Sequence, residues 1–156
     1  MRKFTQTAIA ALLLASTGVQ AQSIDPDPRQ PIYLEPDQAE YVRGVMRLFL
    51  ESLQGMQLAI AEEDWEAVAR HARAAGSAAA TDNPPPGMGA AFSDQWRQWG
   101  PATHGGFDEI ALEAETLPEA SALIRRTSEV MQNCVACHAV HRIEVIDPLD
   151  RLEMME

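Results

Sequence analysis

The sequence predicts an all-α domain, arranged as an antiparallel up-down-up-down four-helix bundle with a Cys-x-x-Cys-His motif in its last helix. Two observations predict this fold. Apolar residues recur at steps of three and four in four separate segments, as one face of a helix requires. Two connections between these segments are short and one is longer, which favours antiparallel neighbours. We find no internal repeat and no strand pattern.

The first 21 residues have the three parts of a bacterial export signal. Arg2 and Lys3 form a positive start, residues 8–15 are an unbroken apolar run, and Val19-Gln20-Ala21 offers small residues to signal peptidase. We therefore predict a signal peptide over residues 1–21 and a periplasmic mature chain. The apolar run is shorter than the about 20 residues of a transmembrane helix, and no later stretch qualifies, so no membrane span is expected after cleavage.

The mature chain is strongly acidic. The full sequence has 12 basic and 23 acidic residues, and loss of Arg2 and Lys3 leaves only arginines as basic residues. Such a surface repels nucleic acid and anionic lipid, so neither is expected as a partner. A partner protein with a basic docking patch is favoured, beside the plainer reading of a well-solvated acidic surface.

The segment before the first helix, residues 22–36, is rich in proline and has no helical period, which predicts an extended lead-in. Pro36 in the first turn and a capping box of Asp37 with Glu40 predict the start of the first helix. Its buried stripe contains Val42, Val45, Met46, Phe49, Leu53, Met56 and Ile60.

The second helix starts at Trp65 behind three acidic residues, and its stripe ends in alanines that allow close approach of a bulky neighbour. The run Pro84-Pro85-Pro86-Gly87 predicts a connection over residues 81–89. A short helical piece over residues 92–99 follows. Gly100-Pro101 then restarts a third helix, which Gly105-Gly106 weakens in its first turns.

The fourth helix begins at the capping box Thr116-Leu117-Pro118-Glu119. Asp147-Pro148 marks its latest end, so we assign residues 37–146 to one helical domain and residues 147–156 to a C-terminal tail. In an antiparallel bundle, the end of the fourth helix lies level with the start of the first, the end of the second and the start of the third.

Cys134, Cys137 and His138 carry the chemistry. Two thiols three apart lie on one helix face about one turn apart, and the next residue adds an imidazole. This spacing is typical of covalent haem c, in which the thiols form thioethers and the histidine ligates iron. A redox disulfide is expected after a strand, and structural zinc needs four ligands, whereas the chain has only two cysteines. We favour one haem c, with a disulfide or a chance match as the alternative.

Three residues belong to the level of this motif. Met46 lies on the buried stripe of the first helix, where its thioether can ligate iron or merely fill the core over an open iron. His104 can ligate, hydrogen-bond a haem propionate or satisfy a backbone group, and the last two roles are favoured over ligation. Arg43 is a candidate partner for a haem propionate.

At these residues the chain resembles the cytochrome c-prime family, including its low-spin, Met-ligated relatives. The resemblance covers residues 37–145 and is carried by the motif and Arg142 in the fourth helix, and by Tyr41 and Met46 in the first. It implies that Met46 covers the distal haem face and that Arg142 borders the proximal pocket, where its plainer role is to cap the helix. Homodimers through the first two helices are also implied. Residues 82–106 depart from the family, and His141 stands where an aromatic residue is common.

Two functions follow from the motif and the resemblance. The first is an exported monohaem cytochrome that transfers electrons, with iron ligated by His138 and Met46. The alternative is a five-coordinate cytochrome that binds nitric oxide or carbon monoxide at an open distal site. The sequence has no paired carboxylates, nucleophile and base set or phosphate loop, so no enzyme activity is expected.

Overall fold

The structure, a computed structural model, describes residues 27–80 and 84–153. The predicted signal peptide, residues 1–21, lies outside the described residues. The described chain is mostly helical, as predicted, but it also contains a small two-stranded sheet, which the sequence did not predict. Within the described residues, no helix has both the length and the apolar character needed to cross a membrane.

Four longer helices match the four predicted segments, and α2 is much the shortest of them. α2 packs against α1 and α5, α5 packs against α6, and α6 also contacts α1. In chain order the elements are β1 (Gln30–Leu34), α1 (Pro36–Ala61), α2 (Trp65–Ala74), α3 (Ser77–Ala80), α4 (Met88–Ala91), α5 (Asp94–Thr116), α6 (Ala120–Val140), β2 (His141–Val145) and α7 (Pro148–Glu153).

The capping box of α1 forms between Glu35 and Gln38, two residues earlier than the predicted pair of Asp37 and Glu40. Pro36 explains the difference. Its fixed φ and missing N–H suit the first helical position, so the cap falls on the residue before it. The extended lead-in therefore ends directly at the helix.

The second predicted helix is interrupted at Ala75-Gly76, and the residues after the break form the separate turn α3. A carboxylate oxygen of Asp108 on α5 accepts a hydrogen bond from the backbone N–H of Ser77 at 3.0 Å. A Cβ at Gly76 would clash with that same carboxylate, so a larger residue there would displace Asp108 from its bond to Ser77. The junction between α2 and α3 is therefore held by α5.

The third helix is continuous from Asp94 to Thr116, which corrects the predicted short piece and restart at Gly100-Pro101. Ser93 caps it by accepting a hydrogen bond from the N–H of Trp96 at 3.2 Å. An interior proline costs about 3 kcal/mol and a helical glycine about 1 kcal/mol. Packing of the helix's apolar face offsets these costs, through the buried residues Thr103, His104, Phe107, Ile110, Ala111 and Ala114.

α6 ends at Val140, well before the predicted limit at Asp147, because the next five residues pair with β1. The strands are parallel, with His141 opposite Gln30. This pairing joins the two ends of the described chain. It also places Arg142 on a strand, whereas the sequence placed it on the last helix.

Two apolar clusters fill the interior. The larger lies among α1, α2, α5 and α6 and contains the fully buried side chains Met56, Phe107, Ile110 and Leu123. The smaller joins β1 and α4 to the start of α1. Met46 packs against both clusters, so it lies where they meet.

Candidate functional site

The Cys-x-x-Cys-His motif lines a narrow cavity of about 50 Å³ between α1, α5 and α6. The first half of α1 and the start of α5 therefore lie level with the end of α6. The wall of this narrow cavity is largely apolar and consists of Met46, Phe49, Trp96, Trp99, Gly100, Thr103, Asn133, Cys134, Cys137 and His138.

A wide cavity of about 490 Å³ adjoins the narrow one. Four residues line both spaces: Met46, Phe49, Trp96 and Gly100. The wide cavity is mostly apolar, and its volume lies within the roughly 300–1,000 Å³ typical of small-molecule and cofactor sites. Together the cavities offer an apolar space whose one end carries the motif.

Cys134 and Cys137 lie one turn apart on α6, and both are half-buried free thiols. Burial raises the pKa of each thiol, and the neighbouring Cys134 adds to the rise in the pKa of Cys137. The motif also occupies the last turns of its helix, where the helix dipole disfavours a thiolate. Redox-active cysteines have lowered pKa values and lie at helix N-termini, so this environment does not favour a catalytic disulfide.

His138 lies on the last turn of α6 and lines the narrow cavity, although it is exposed overall. The guanidinium of Arg29 donates a hydrogen bond to its backbone carbonyl at 3.3 Å and to that of His141 at 3.5 Å. The same guanidinium lowers the pKa of Asp27 to about 2 by donating hydrogen bonds to its carboxylate. Arg29 therefore satisfies the end of α6, a role that the sequence suggested for Arg142.

Met46 is half-buried on α1 and lines both cavities. Its thioether therefore shares one cavity wall with the two thiols and the imidazole of His138. The predicted position of Met46 at the level of the motif agrees with this placement. Met56, on the same helix, is fully buried in the larger apolar cluster.

His104 is 7% exposed and lines the wide cavity. Its Nδ1 lies 2.7 Å from the carbonyl oxygen of Ala75 and 3.1 Å from that of Gly76. Its ring is 4.9 Å from the ring of Phe49. Of the three roles considered for His104, the bond to a backbone group is present in the structure.

Arg43 and Arg142 do not occur among the described residues that line the two cavities. Arg43 is exposed and lies 3.9 Å from the carboxylate of Glu40. Arg142 donates to the backbone carbonyl of Arg29 at 3.2 Å and pairs with Glu144 at 2.5 Å. Their predicted roles toward a haem stay predictions.

The sequence did not predict the positions that three polar residues take at the site. Arg97 lines the wide cavity while donating to the carbonyl of Phe92 at 2.8 Å. The hydroxyl of Tyr41 and Nδ1 of His141 are buried without a hydrogen-bond partner in the described chain. His141 packs near Trp99, with ring centroids 6.2 Å apart. Arg97 lies on the same face of α5 as Pro101 and His104, which also line the wide cavity. A sequence prediction of one continuous helix would have placed Arg97 on that face.

Comparison with known proteins gives no relative: no family model matches the chain, and no curated protein or solved structure matches it significantly. A function for this chain therefore has to be argued from the residues of the site.

Proposed function

We propose that the chain is an exported monohaem c-type cytochrome that transfers electrons. One observation carries the proposal: Cys134, Cys137 and His138 line the same narrow apolar cavity as the thioether of Met46. The two thiols and the imidazole at haem c spacing thus share a cavity with Met46, whose thioether can also ligate haem iron. The roles are thioether attachment for the cysteines and axial ligation for His138 and Met46.

The residues present fit a haem. A porphyrin needs a mostly apolar space, and the wide cavity, which shares Met46 and Phe49 with the narrow one, is of that kind. Its propionates need polar partners, and Arg97 and Tyr41 line the wide cavity. Both thiols are free, as the formation of two thioethers requires.

The protein's own residues set the properties of such a centre. Bound haem iron supplies a one-electron couple between the ferric and ferrous states. A Met and His ligand pair raises the reduction potential, and Phe49, Trp96 and Trp99 make the wall of the site largely apolar. The acidic mature surface favours a redox partner protein with a basic docking patch.

The arrangement of the helices supports the same proposal. α1, α2, α5 and α6 pack in chain order, and α6 contacts α1, which is the pattern of an up-down-up-down four-helix bundle. With the haem motif in the last helix, this arrangement resembles the cytochrome c-prime family. Export through a signal peptide over residues 1–21 would bring the chain to the compartment where haem c is attached.

Maturation and spectroscopy test the proposal. The full chain is expressed with a periplasmic haem c maturation system, and its mass and its ferric, reduced and carbon monoxide spectra are recorded. We expect one covalent haem and low-spin spectra that carbon monoxide does not change. A high-spin protein that binds the gas would instead support the five-coordinate alternative. A colourless product without added haem mass would refute both.

A matched pair of variants assigns the sulfur ligand. Met46→Leu and Met56→Leu each replace a methionine of α1 with a side chain of similar volume. We expect the sulfur-to-iron charge-transfer band of the ferric protein to disappear in Met46→Leu and to persist in Met56→Leu. Persistence of the band in Met46→Leu would show that a sulfur other than that of Met46 ligates the iron.

A further inference from the structure

His104 presents one ring nitrogen whose bonding is fully defined. Nδ1 faces the carbonyl oxygens of Ala75 and Gly76, at 2.7 and 3.1 Å. Carbonyl oxygens only accept hydrogen bonds, so Nδ1 carries the hydrogen. In the neutral form of the ring, which has one N–H, Nε2 of His104 keeps its lone pair. No hydrogen bond to Nε2 occurs within the described residues.

This pattern is the one found in metal-ligating histidines. Such a histidine donates its other ring N–H to a backbone carbonyl or a carboxylate, which fixes the tautomer and the orientation of the ring. With its hydrogen on Nδ1, the neutral ring leaves Nε2 as the nitrogen that can coordinate a metal. The tautomer therefore changes the ranking of roles that the sequence gave to His104.

The ring is also held in place from several sides. Ala75 caps the end of α2, and Asp108, one turn beyond His104 on α5, accepts the N–H of Ser77 at 3.0 Å. His104 and Asp108, both on α5, thus form hydrogen bonds to backbone groups at the junction between α2 and α3. The ring of Phe49 lies 4.9 Å from that of His104 and lines both cavities together with Met46.

We propose that His104 is a second protein ligand for the iron of this site, able to take the sixth position when Met46 does not. The inference rests on the proposed haem function and deepens it. Under this proposal, either the sulfur of Met46 on α1 or Nε2 of His104 on α5 can occupy the sixth position of the iron. The observations that carry it are the fixed tautomer, the burial of the ring and its place on the wall of the wide cavity.

The test compares three haem-loaded proteins by visible spectra, ferric electron paramagnetic resonance and midpoint potential. They are Met46→Ala, Met46→Ala with His104→Asn, and Met46→Ala with His71→Asn. An asparagine at position 104 keeps an N–H for the carbonyl of Ala75 but lacks Nε2. His71 is an exposed histidine of α2 and serves as the matched control.

We expect Met46→Ala to stay low-spin with the resonance signature of two nitrogen ligands, to resist carbon monoxide and to have a lowered potential. Adding His104→Asn converts it to a high-spin, gas-binding protein, and adding His71→Asn does not. A Met46→Ala protein that is already high-spin and binds the gas would overturn the inference while leaving the haem assignment intact. This decisive spectrum needs only the single variant, so it does not depend on folding of the double one. A colourless product would refute the proposed function itself.

Discussion

Two adjacent glycines in α5 make opposite predictions about stability. A Cβ added at Gly106 would lie 2.5 Å from Cγ2 of Val130 on α6, closer than two carbon atoms can approach. At Gly105 no atom of the described chain lies within 4 Å of the added Cβ. Val130 is 4% exposed and β-branched, so it cannot easily turn aside. Gly106 is therefore needed for the close approach of α5 and α6, and Gly105 is not.

The expected magnitudes follow from two terms. Replacing a helical glycine with alanine stabilises by about 1 kcal/mol at either position. Overpacking against Val130 costs about 1–3 kcal/mol and applies to Gly106 alone. Gly105→Ala should therefore raise the free energy of unfolding by about 1 kcal/mol. Gly106→Ala should lie about 1–3 kcal/mol below Gly105→Ala, because the helix term is common to both.

Urea unfolding followed by circular dichroism measures this difference, provided that both variants have the same m value. Val130→Ala supplies the control, since it removes the Cγ atoms that the new methyl group would meet. In that background the two glycine variants should be equally stable relative to their parent. Equal stability of Gly105→Ala and Gly106→Ala in the native background would refute the packing of α5 on α6 described above.

Three other outcomes are expected. The pKa of Asp27 is about 2 against an ordinary 3.8, so its interaction with Arg29 stabilises the fold above pH 4 and is lost as the pH falls toward 2. Arg29→Gln should return the pKa of Asp27 toward 3.8, as measured by an NMR titration. Glu63 has a left-handed φ of 56°, so Glu63→Gly should stabilise by about 1 kcal/mol in urea unfolding, and Glu63→Ala should not. Phe107→Ala, at a fully buried side chain, should lower the free energy of unfolding by about 3–5 kcal/mol. Leu50→Ala, at a side chain 67% exposed, should change it by less than about 0.5 kcal/mol. Equal effects of the two variants would contradict the burial of Phe107.

The helices were predictable where their apolar period is uninterrupted. The stripe of α1 from Val42 to Ile60 needs only local spacing, and its burial agrees with that spacing at most positions. The continuous α5 was not predicted, because Pro101 and three glycines locally favour a break and only tertiary packing overrides them. The two strands were missed for a related reason. Each is five residues long, and their pairing joins opposite ends of the described chain, which no local pattern reveals.

The site was predictable to the extent that helix spacing and helix order determine it. The placement of Met46 beside Cys134 required only antiparallel helices of known start and end. Arg97 was missed because the predicted break before Pro101 separated it from the face that carries His104. The contact between Arg29 and His138 depends on the strand pairing, so it was hidden with the strands. The omissions of Arg97 and Arg29 thus each derive from one omission in the fold.

The cavity beside the motif has a simple cause in the lengths of the helices. α1 has 26 residues and α2 only 10, so at 1.5 Å per residue they are about 39 and 15 Å long. α2 can therefore cover less than half of α1, and the fully buried side chains of Met56 and Val68 lie at the covered end. Beyond Ala74 the facing position is taken by α3, α4 and a proline-rich connection, which contribute few large side chains. Because Asp108 and His104 hold the break at Ala75-Gly76 in place, the same contacts that end α2 keep the space beside Met46 open.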